Sequence, residues 1–236
     1  MKAGPIRIAH PPPRVVFWVP AIAALLLACI VYHPGLRGVF LFDDFANLPS
    51  LGAYGPVDNW PAFWRYITSG INDPAGRPLS LLSFLIDAHD WPADPYPFKR
   101  TSLVLHLLNG VLLALLLRSL GRALHGPSWR ADFAAALGAA LWLLHPLFVS
   151  TTLYVVQREA MLAATFALLG LLGWSRGREL AAHGRAAGNW LAAISITVCT
   201  ALAMASKANG ILLPLLAWLA DAIVLAPAQP IRDARL

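Results

Sequence analysis

Long apolar segments alternate with short polar segments along this chain, and the apolar segments approach the length that crosses a membrane. A spanning helix needs about 20 mostly apolar residues, with a range of about 17 to 25. Six segments are predicted as spans, several near the lower limit: Val15–Tyr32, Thr101–Leu117, Ala131–Leu144, Leu153–Trp174, Trp190–Ala205 and Ile211–Leu225. The pattern predicts an all-α, polytopic membrane protein with about six transmembrane helices.

Two places in this pattern admit an alternative. Lys2, Arg7 and Arg14 before the first apolar run resemble the start of a signal peptide. The run is too long for that, and "ACIVYHPG" is a poor cleavage site, so we expect a retained first helix. The short connection "SKANG" leaves open whether the fifth and sixth spans form one long broken helix, which would invert everything after it.

Composition supports a membrane location. Hydrophobic residues make up 58% of the chain and charged residues only 13%, against about 25% charged residues in a soluble domain. The net charge of +6 does not require nucleic acid, because the basic residues cluster in short loops, as in "RGRELAAHGR". Cys29 and Cys199 both lie in apolar segments and give no disulfide or metal-binding pattern.

The charges also predict an orientation, since basic residues favour the cytoplasmic loops. With a cytoplasmic N-terminus, eleven of the 18 basic residues lie inside and eight of the 12 acids outside. Residues 1–14 are then a cytoplasmic lead, residues 15–225 a membrane module, and residues 226–236 a cytoplasmic tail. Segment 33–100 is a large first outer loop. Its stretches "DNWPAFWRYITSG" and "RPLSLLSFLIDAHDW" predict short amphipathic helices at the membrane interface.

Two adjacent acids, Asp43 and Asp44, follow the first span in the apolar stretch "FLFDDFANLP". Such a pair can share a divalent cation, or one acid can act as a general base while the other binds an ion. The alternative is an inert loop turn or helix N-cap. The phenylalanines around the pair would draw it toward the bilayer surface, where a charge without a function is costly.

Further polar groups are predicted on the same side of the membrane. They are candidates because ionisable groups at a membrane edge are functional hypotheses. Lys207 and Arg77 are cations suited to a phosphate, although interfacial snorkelling also explains a lone lysine. His106 and Asn109 share a face of the second span and are expected to form interhelical hydrogen bonds. The other members of this set, at the ends of the third and fourth spans, are His145, Gln157, Arg158 and Glu159.

Five stretches appear in an order that resembles a known family: "FLFDD", "GRPLSLLSF", "KRTSLVLHLLNGVLLALLLR", "HPLFVSTTLYVVQREAMLAATFALLGLL" and "ASKANGILLPLLAWL". Together they are similar to the N-terminal membrane half of GT-C-type glycosyltransferases. The closest resemblance is to bacterial proteins that join this module to tetratricopeptide repeats, and to the transmembrane and tetratricopeptide-repeat O-mannosyltransferases.

This resemblance implies sugar transfer from a polyprenyl-phosphate donor to a protein or glycan acceptor at the outer face. It assigns Asp43 or Asp44 to catalysis, with Mg²⁺ or Mn²⁺ as an optional ion on that pair. It assigns the donor phosphate to Arg158, Lys207 and, less directly, Arg77. His145, Gln157, Glu159, His106 and Asn109 would line the same cavity.

The resemblance further implies the bacterial inner (cytoplasmic) membrane. It also implies a partner chain or further C-terminal helices that complete the pocket, since members of this family continue beyond a sixth helix. Two other classes remain open. A non-catalytic scaffold or assembly subunit fits a chain that stops early. A small transporter is less favoured, because no predicted span carries a charge at its centre and none is broken in the way that marks a midplane site.

Overall fold

The computed structural model describes residues 13–70 and 76–225, which are helical apart from turns and loops and contain no strand. Residues 1–12 of the predicted lead, the whole predicted tail and Asp73, one of the eight acids predicted outside, lie outside these residues. The α-helices are α1 Pro13–Tyr32, α2 Asp44–Asn47, α3 Trp60–Ile67, α4 Pro78–Phe84, α5 Pro95–His125, α6 Trp129–Leu143, α7 Phe148–Leu153, α8 Arg158–Ala182, α9 Ala187–Ser206 and α10 Leu213–Leu219. Short 3-10 turns cover His33–Arg37, Leu48–Leu51, Val155–Gln157 and Ala208–Leu212, and a π-helical turn covers Ala220–Leu225.

Four helical segments of the described chain are long and apolar enough to cross a membrane, against about six predicted: Arg14–Arg37, Pro95–His125, Val155–Ala182 and Ala187–Ser206. Helix α6 has 15 residues, so at 1.5 Å per residue it reaches about 22 Å, short of a hydrocarbon core of about 30 Å. The last apolar segment, Ala208–Ile223, is also shorter than the four. The prediction of about six spans is therefore not confirmed for α6 and for the last apolar segment.

Local capping residues set the helix ends, and these ends differ from those that the apolar pattern predicted. Asp94 caps α5 by accepting a hydrogen bond from the Tyr96 N–H at 3.0 Å, and Pro95 follows at the first helical position. Helix α5 therefore begins six residues before the predicted Thr101, so the first loop ends at residue 94 rather than at residue 100. The helix ends at His125, and Gly126 follows it with a φ of 71°, which glycine adopts without strain.

Helices α1 and α5 run antiparallel, whereas α5 and α8 run parallel, and the bundle has two distinct ends. Near the start of α1, the Phe17 ring lies 4.3 Å from the Arg118 guanidinium in the last part of α5. Tyr32, at the other end of α1, packs against His106. We call the end that carries segments 33–94 and 144–157 the loop end. We call the opposite end, with Arg118, Arg122, Arg176 and Arg178, the arginine end.

The chain after α9 folds back along the bundle. Lys207 adopts an extended conformation (φ −158°, ψ 140°), and a Cβ placed on Gly170 of α8 would touch both Cys199 and Leu213. At the arginine end, Arg178 of α8 donates to Asp221 at 2.6 Å. Because Asp221 returns to the end at which α9 begins, the connection "SKANG" is a tight reversal and not a break within one long helix.

Small residues let α8 and α9 approach closely. A Cβ on Gly177 would lie 2.6 Å from the Gly188 carbonyl oxygen and 2.8 Å from the Ala192 Cβ. Such close backbone contact between helices is typical of membrane interiors. There the hydrophobic effect does not drive helices together, and small side chains allow the close van der Waals packing that does. Large apolar side chains on the outer face of α9, including Trp190 and Ile194, are exposed as lipid-facing residues would be.

The first loop has a core of its own. Phe40, Leu48, Leu51, Phe84 and Phe98 are buried together with residues from α3 and with Val155. The two helices predicted in this loop are present as α3 and α4. Helix α3 buries one face and leaves Trp60 and Trp64 exposed. The loop is therefore a packed cap on the bundle, and this packing fixes the acidic stretch against α8.

Candidate functional site

Asp44 ties the first loop to the entry of α8. Its side chain is fully buried, and its two oxygens accept hydrogen bonds from two backbone N–H groups: Leu41 to Oδ2 at 2.9 Å and Val156 to Oδ1 at 2.9 Å. Val156 lies in the 3-10 turn that leads directly into Arg158 and Glu159. The buried carboxylate therefore holds the acidic loop beside the predicted cations.

Asp43 is the exposed member of the pair. Its backbone N–H donates to the Tyr154 hydroxyl at 2.9 Å. Burial of that hydroxyl, together with its hydrogen bond to the Asp43 side chain, raises the pKa of Tyr154. The preceding residue, Phe42, has a φ of 40°, a strained value for a non-glycine residue. The strained turn directs one acid inward and leaves its neighbour at the surface, so the two acids have different roles.

Burial raises the pKa of Asp44 above its ordinary value of 3.8, although the backbone hydrogen bonds and Lys99 oppose the shift. The folded protein thus holds this proton more tightly than the unfolded chain. The contribution of Asp44 to stability is largest below pH 3.8 and declines as pH rises through the folded pKa. We expect the stability of wild type relative to Asp44→Asn to fall over that window when unfolding in detergent is followed by tryptophan fluorescence. A relative stability that grows with pH would contradict this assignment.

Arg158, predicted to bind the donor phosphate, lies in a different setting. Its side chain has 0% exposure and pairs with Asp87, Nη1 to Oδ2, at 2.6 Å. It also donates to the Ser83 and Phe98 carbonyl oxygens, at 2.9 and 2.6 Å. The rings of Phe84 and Phe98 flank it. A guanidinium that is already paired and enclosed does not fit a phosphate ligand, and it instead joins α8 to the first loop.

The other two predicted cations meet on one carboxylate. Arg77 donates through Nη1 to Glu159 Oε2, and Lys207 Nζ donates to Glu159 Oε1 at 2.7 Å. These residues come from α8 and from two segments far apart in sequence. The Lys207 side chain is 27% exposed and that of Glu159 only 8%. Arg77 has a φ of 52° and is the second non-glycine residue with a positive φ in the described chain. Two cations on one acid give this cluster of three side chains a net positive charge.

The predicted cavity residues separate into two groups. His106 contacts the Leu143 carbonyl of α6 at 3.0 Å, and Asn109 donates to the Met161 carbonyl of α8 at 3.0 Å. Both residues are buried, which confirms the predicted interhelical hydrogen bonds. His145 is exposed in the turn before α7, and Gln157 is half-buried just before α8. These four positions do not line one cavity with Glu159.

Three contributing residues were not among the predicted site residues. Lys99 is buried and donates to the Val39 carbonyl at 2.8 Å, beside the acidic stretch. Asp87 pairs with Arg158 and also accepts from Thr101 at 2.5 Å. Tyr154 orients Asp43. Each partner is 14 to 111 positions away in sequence, so only the fold brings the groups together.

The acidic pair does not fit a shared divalent cation. Both Asp44 oxygens already accept backbone hydrogen bonds, and Asp43 faces the other way, toward Tyr154 and solvent. Within residues 13–70 and 76–225, no three His, Cys, Asp or Glu side chains are grouped for a metal ion. We therefore assign no chemical step to Mg²⁺ or Mn²⁺.

An apolar cavity lies at the loop end, close in sequence to the cation cluster. It measures about 420 Å³ and is lined mainly by side chains of α4 and its flanks, with Leu162 of α8. Leu79 is two residues from Arg77, and Leu162 is three residues from Glu159. The loop end therefore offers an apolar pocket, a positively charged cluster and an exposed carboxylate.

Three relatives match most of this chain. Human Protein O-mannosyl-transferase TMTC4 is 30% identical over 212 residues, covering 83% of this chain and 28% of the relative. Mouse Protein O-mannosyl-transferase TMTC1 is 27% identical over 178 residues, covering 71% of this chain and 18% of the relative. The human TMTC1 protein is 26% identical over 171 residues, covering 68% and 18%. No family model matches, and no solved structure matches.

The chain thus spans less than a third of the length of these relatives and is their distant homologue. The homology agrees with a multi-pass membrane protein.

Proposed function

We propose that this chain is the N-terminal module of a GT-C-type membrane glycosyltransferase. It transfers a sugar from a polyprenyl-phosphate donor to a hydroxyl group of a protein acceptor at the outer face of the membrane. Mannose is the first sugar to test, because the relatives carry it in their names. The observation that carries the proposal is the pairing of Arg77 and Lys207 on Glu159. The neighbouring loop carries the exposed Asp43 and is anchored to the turn before α8 by Asp44.

Asp43 is the general base of this reaction. Its carboxylate takes the proton of the acceptor hydroxyl as that oxygen bonds to C1 of the sugar. The bond between C1 and the phosphate oxygen breaks in the same step, and the polyprenyl phosphate leaves with the bonding electrons. Tyr154 orients Asp43 through the backbone hydrogen bond, and Asp44 positions the loop without contacting substrate.

Lys207 and Arg77 bind the donor phosphate and stabilise the negative charge that grows on it as the sugar departs. Glu159 holds both cations in place before the donor arrives, so less side-chain ordering is needed on binding. The first isoprene units occupy the apolar cavity that includes Leu79 and Leu162. The acceptor then approaches from the side of Asp43.

Donor binding tests this assignment. We expect Lys207→Gln and Arg77→Gln each to weaken binding of polyprenyl phosphate about tenfold, the value of one lost charge-assisted hydrogen bond. Binding is measured by titrating polyprenyl phosphate into nanodiscs that contain the chain. Arg100→Gln removes an exposed cation from the same end and should leave the affinity unchanged. Absence of saturable binding by the folded wild type would overturn the donor assignment.

A non-catalytic scaffold derived from the same fold is the second candidate. Two predicted functional side chains, Asp44 and Arg158, have structural partners and no exposed surface. A scaffold would need these two contacts but not an exposed Asp43. A scaffold would also transfer no sugar as wild type, so transfer by the folded wild-type protein that is lost in an Asp43 variant separates the two candidates.

A further inference from the structure

A cavity lies at the arginine end, away from the acids of the loop end. It measures about 890 Å³ and lies between the last turns of α5 and α8, with Leu225 at one side. Arg118 and Arg122 of α5 and Arg176 and Arg178 of α8 contribute to its walls. Arg118 lies 19 residues after Lys99 in α5, a distance of about 28 Å along the helix, so this cavity belongs to the opposite membrane surface. The proposed transfer reaction does not use it.

One buried carboxylate serves two of these arginines. Asp132 of α6 has 0% side-chain exposure. It accepts from Nε and Nη2 of Arg118 at 3.0 and 3.1 Å, and from the same atoms of Arg122 at 2.9 and 2.7 Å. Two positive charges on one negative charge leave one charge uncompensated. The Nη1 groups of both arginines have no hydrogen-bond partner within the described residues, so N–H donors remain for an anion.

The facing wall adds cations that are easily released. Arg178 pairs with Asp221 at 2.6 Å and Arg176 with Glu179 at 2.5 Å, and all four side chains are between 39% and 59% exposed. Exposed ion pairs of this kind contribute little to stability. An incoming anion can therefore take over either guanidinium at small cost. Four guanidiniums face three carboxylates here, so the net charge favours an anion.

The cavity also has an apolar part. Leu115 lies one helical turn before Arg118 and Ser119, toward the middle of the bundle, and Leu225 faces it from the last segment. The Ser119 and Ser175 hydroxyls share a hydrogen bond of 2.7 Å that joins α5 to α8 between these surfaces. Arginines together with leucines suit a phosphate that carries a hydrocarbon chain better than a fully hydrated ion.

We propose that this cavity binds the phosphate group of an anionic phospholipid from the leaflet at the arginine end. Arg118 and Arg122 hold the phosphate oxygens through Nη1, Arg178 closes over it, and one acyl chain passes Leu115 and Leu225. Guanidinium groups suit this ligand because their planar fork matches phosphate oxygens. Basic pockets between transmembrane helices bind lipid headgroups in this way.

Lipid titration followed by native mass spectrometry tests the site. Wild-type protein in detergent is titrated with phosphatidylglycerol and, separately, with phosphatidylcholine. We expect one phosphatidylglycerol to bind saturably, at least tenfold more tightly than phosphatidylcholine. The combined variant Arg118→Gln, Arg122→Gln and Asp132→Asn should lose at least tenfold in affinity. Neutralising all three residues avoids leaving Asp132 buried without a partner.

Two further variants and a soluble probe make each outcome decisive. Arg37→Gln changes the net charge by the same amount at the loop end and should bind as wild type does. If the combined variant does not fold, Arg178→Gln is used, since its ion pair is exposed; it should weaken binding threefold or more. Glycerol phosphate that binds as tightly as phosphatidylglycerol would overturn the lipid assignment and leave a soluble phosphate ligand. The site itself would be overturned if the cavity variant that is used, either the combined variant or Arg178→Gln, bound phosphatidylglycerol as tightly as wild type does.

Discussion

Replacing Arg158 with methionine is expected to lower the free energy of unfolding by about 3–5 kcal/mol, because the substitution leaves Asp87 charged and buried with no cation. The side chain also supplies hydrogen bonds to the Ser83 and Phe98 carbonyl oxygens, which join α4 and α5 to the start of α8. Methionine has a similar length, so packing against Phe84 is largely kept. Unfolding is measured in mixed detergent micelles and followed by tryptophan fluorescence.

A double-mutant cycle separates the ion pair from the rest of the contact. Replacing the whole buried pair, with Arg158→Met and Asp87→Leu together, should recover much of the loss, since buried pairs are often replaceable by apolar residues. Arg100→Met removes an exposed arginine from the same end of the bundle and should change stability by less than about 0.5 kcal/mol. A loss of under about 1 kcal/mol in Arg158→Met would contradict the structural role and restore Arg158 as a candidate phosphate ligand.

The contrast between Arg158 and Lys207 shows where sequence reasoning reached its limit. Both are cations beside apolar helices, and a pattern of charge and hydropathy treats them alike. Burial separates them, because Arg158 has Asp87 within 2.6 Å whereas Lys207 stays partly exposed on Glu159. Asp87 is 71 residues before Arg158, and nothing local marks it as the partner. The convergence of Arg77, Glu159 and Lys207 at one end followed from the predicted topology, but their shared hydrogen bonds did not.

The long apolar helices were predictable because membrane-spanning length and low charge are strong signals over 20 residues. Their ends were not, because caps such as Asp94 and Ser128 act through single hydrogen bonds outside the apolar run. The paired acids also remained ambiguous. A strained φ at Phe42 and a distant N–H of Val156 decide which acid is buried, and neither can be read from "FLFDD".

The second large effect concerns Asp43 and depends on the proposed transfer reaction. If its carboxylate is the general base, Asp43→Asn should lower kcat about 100- to 10,000-fold. Asparagine keeps the size of the side chain and the backbone N–H that donates to Tyr154, so folding and donor binding should be preserved. The assay measures sugar transfer from a polyprenyl-phosphate donor to a hydroxyl-containing peptide, in membranes that carry the whole protein.

The matched control is Asp58→Asn, which neutralises another exposed acid of the same loop and should leave kcat within twofold of wild type. Tyr154→Phe should give an intermediate loss, because it removes the hydroxyl that orients Asp43 without removing the base. Wild-type kcat in Asp43→Asn would exclude this residue as the base. Since Asp44 is enclosed and bound to two backbone N–H groups, that result would place the base outside the acidic pair, whereas a folded wild-type protein that transfers no sugar would favour the scaffold.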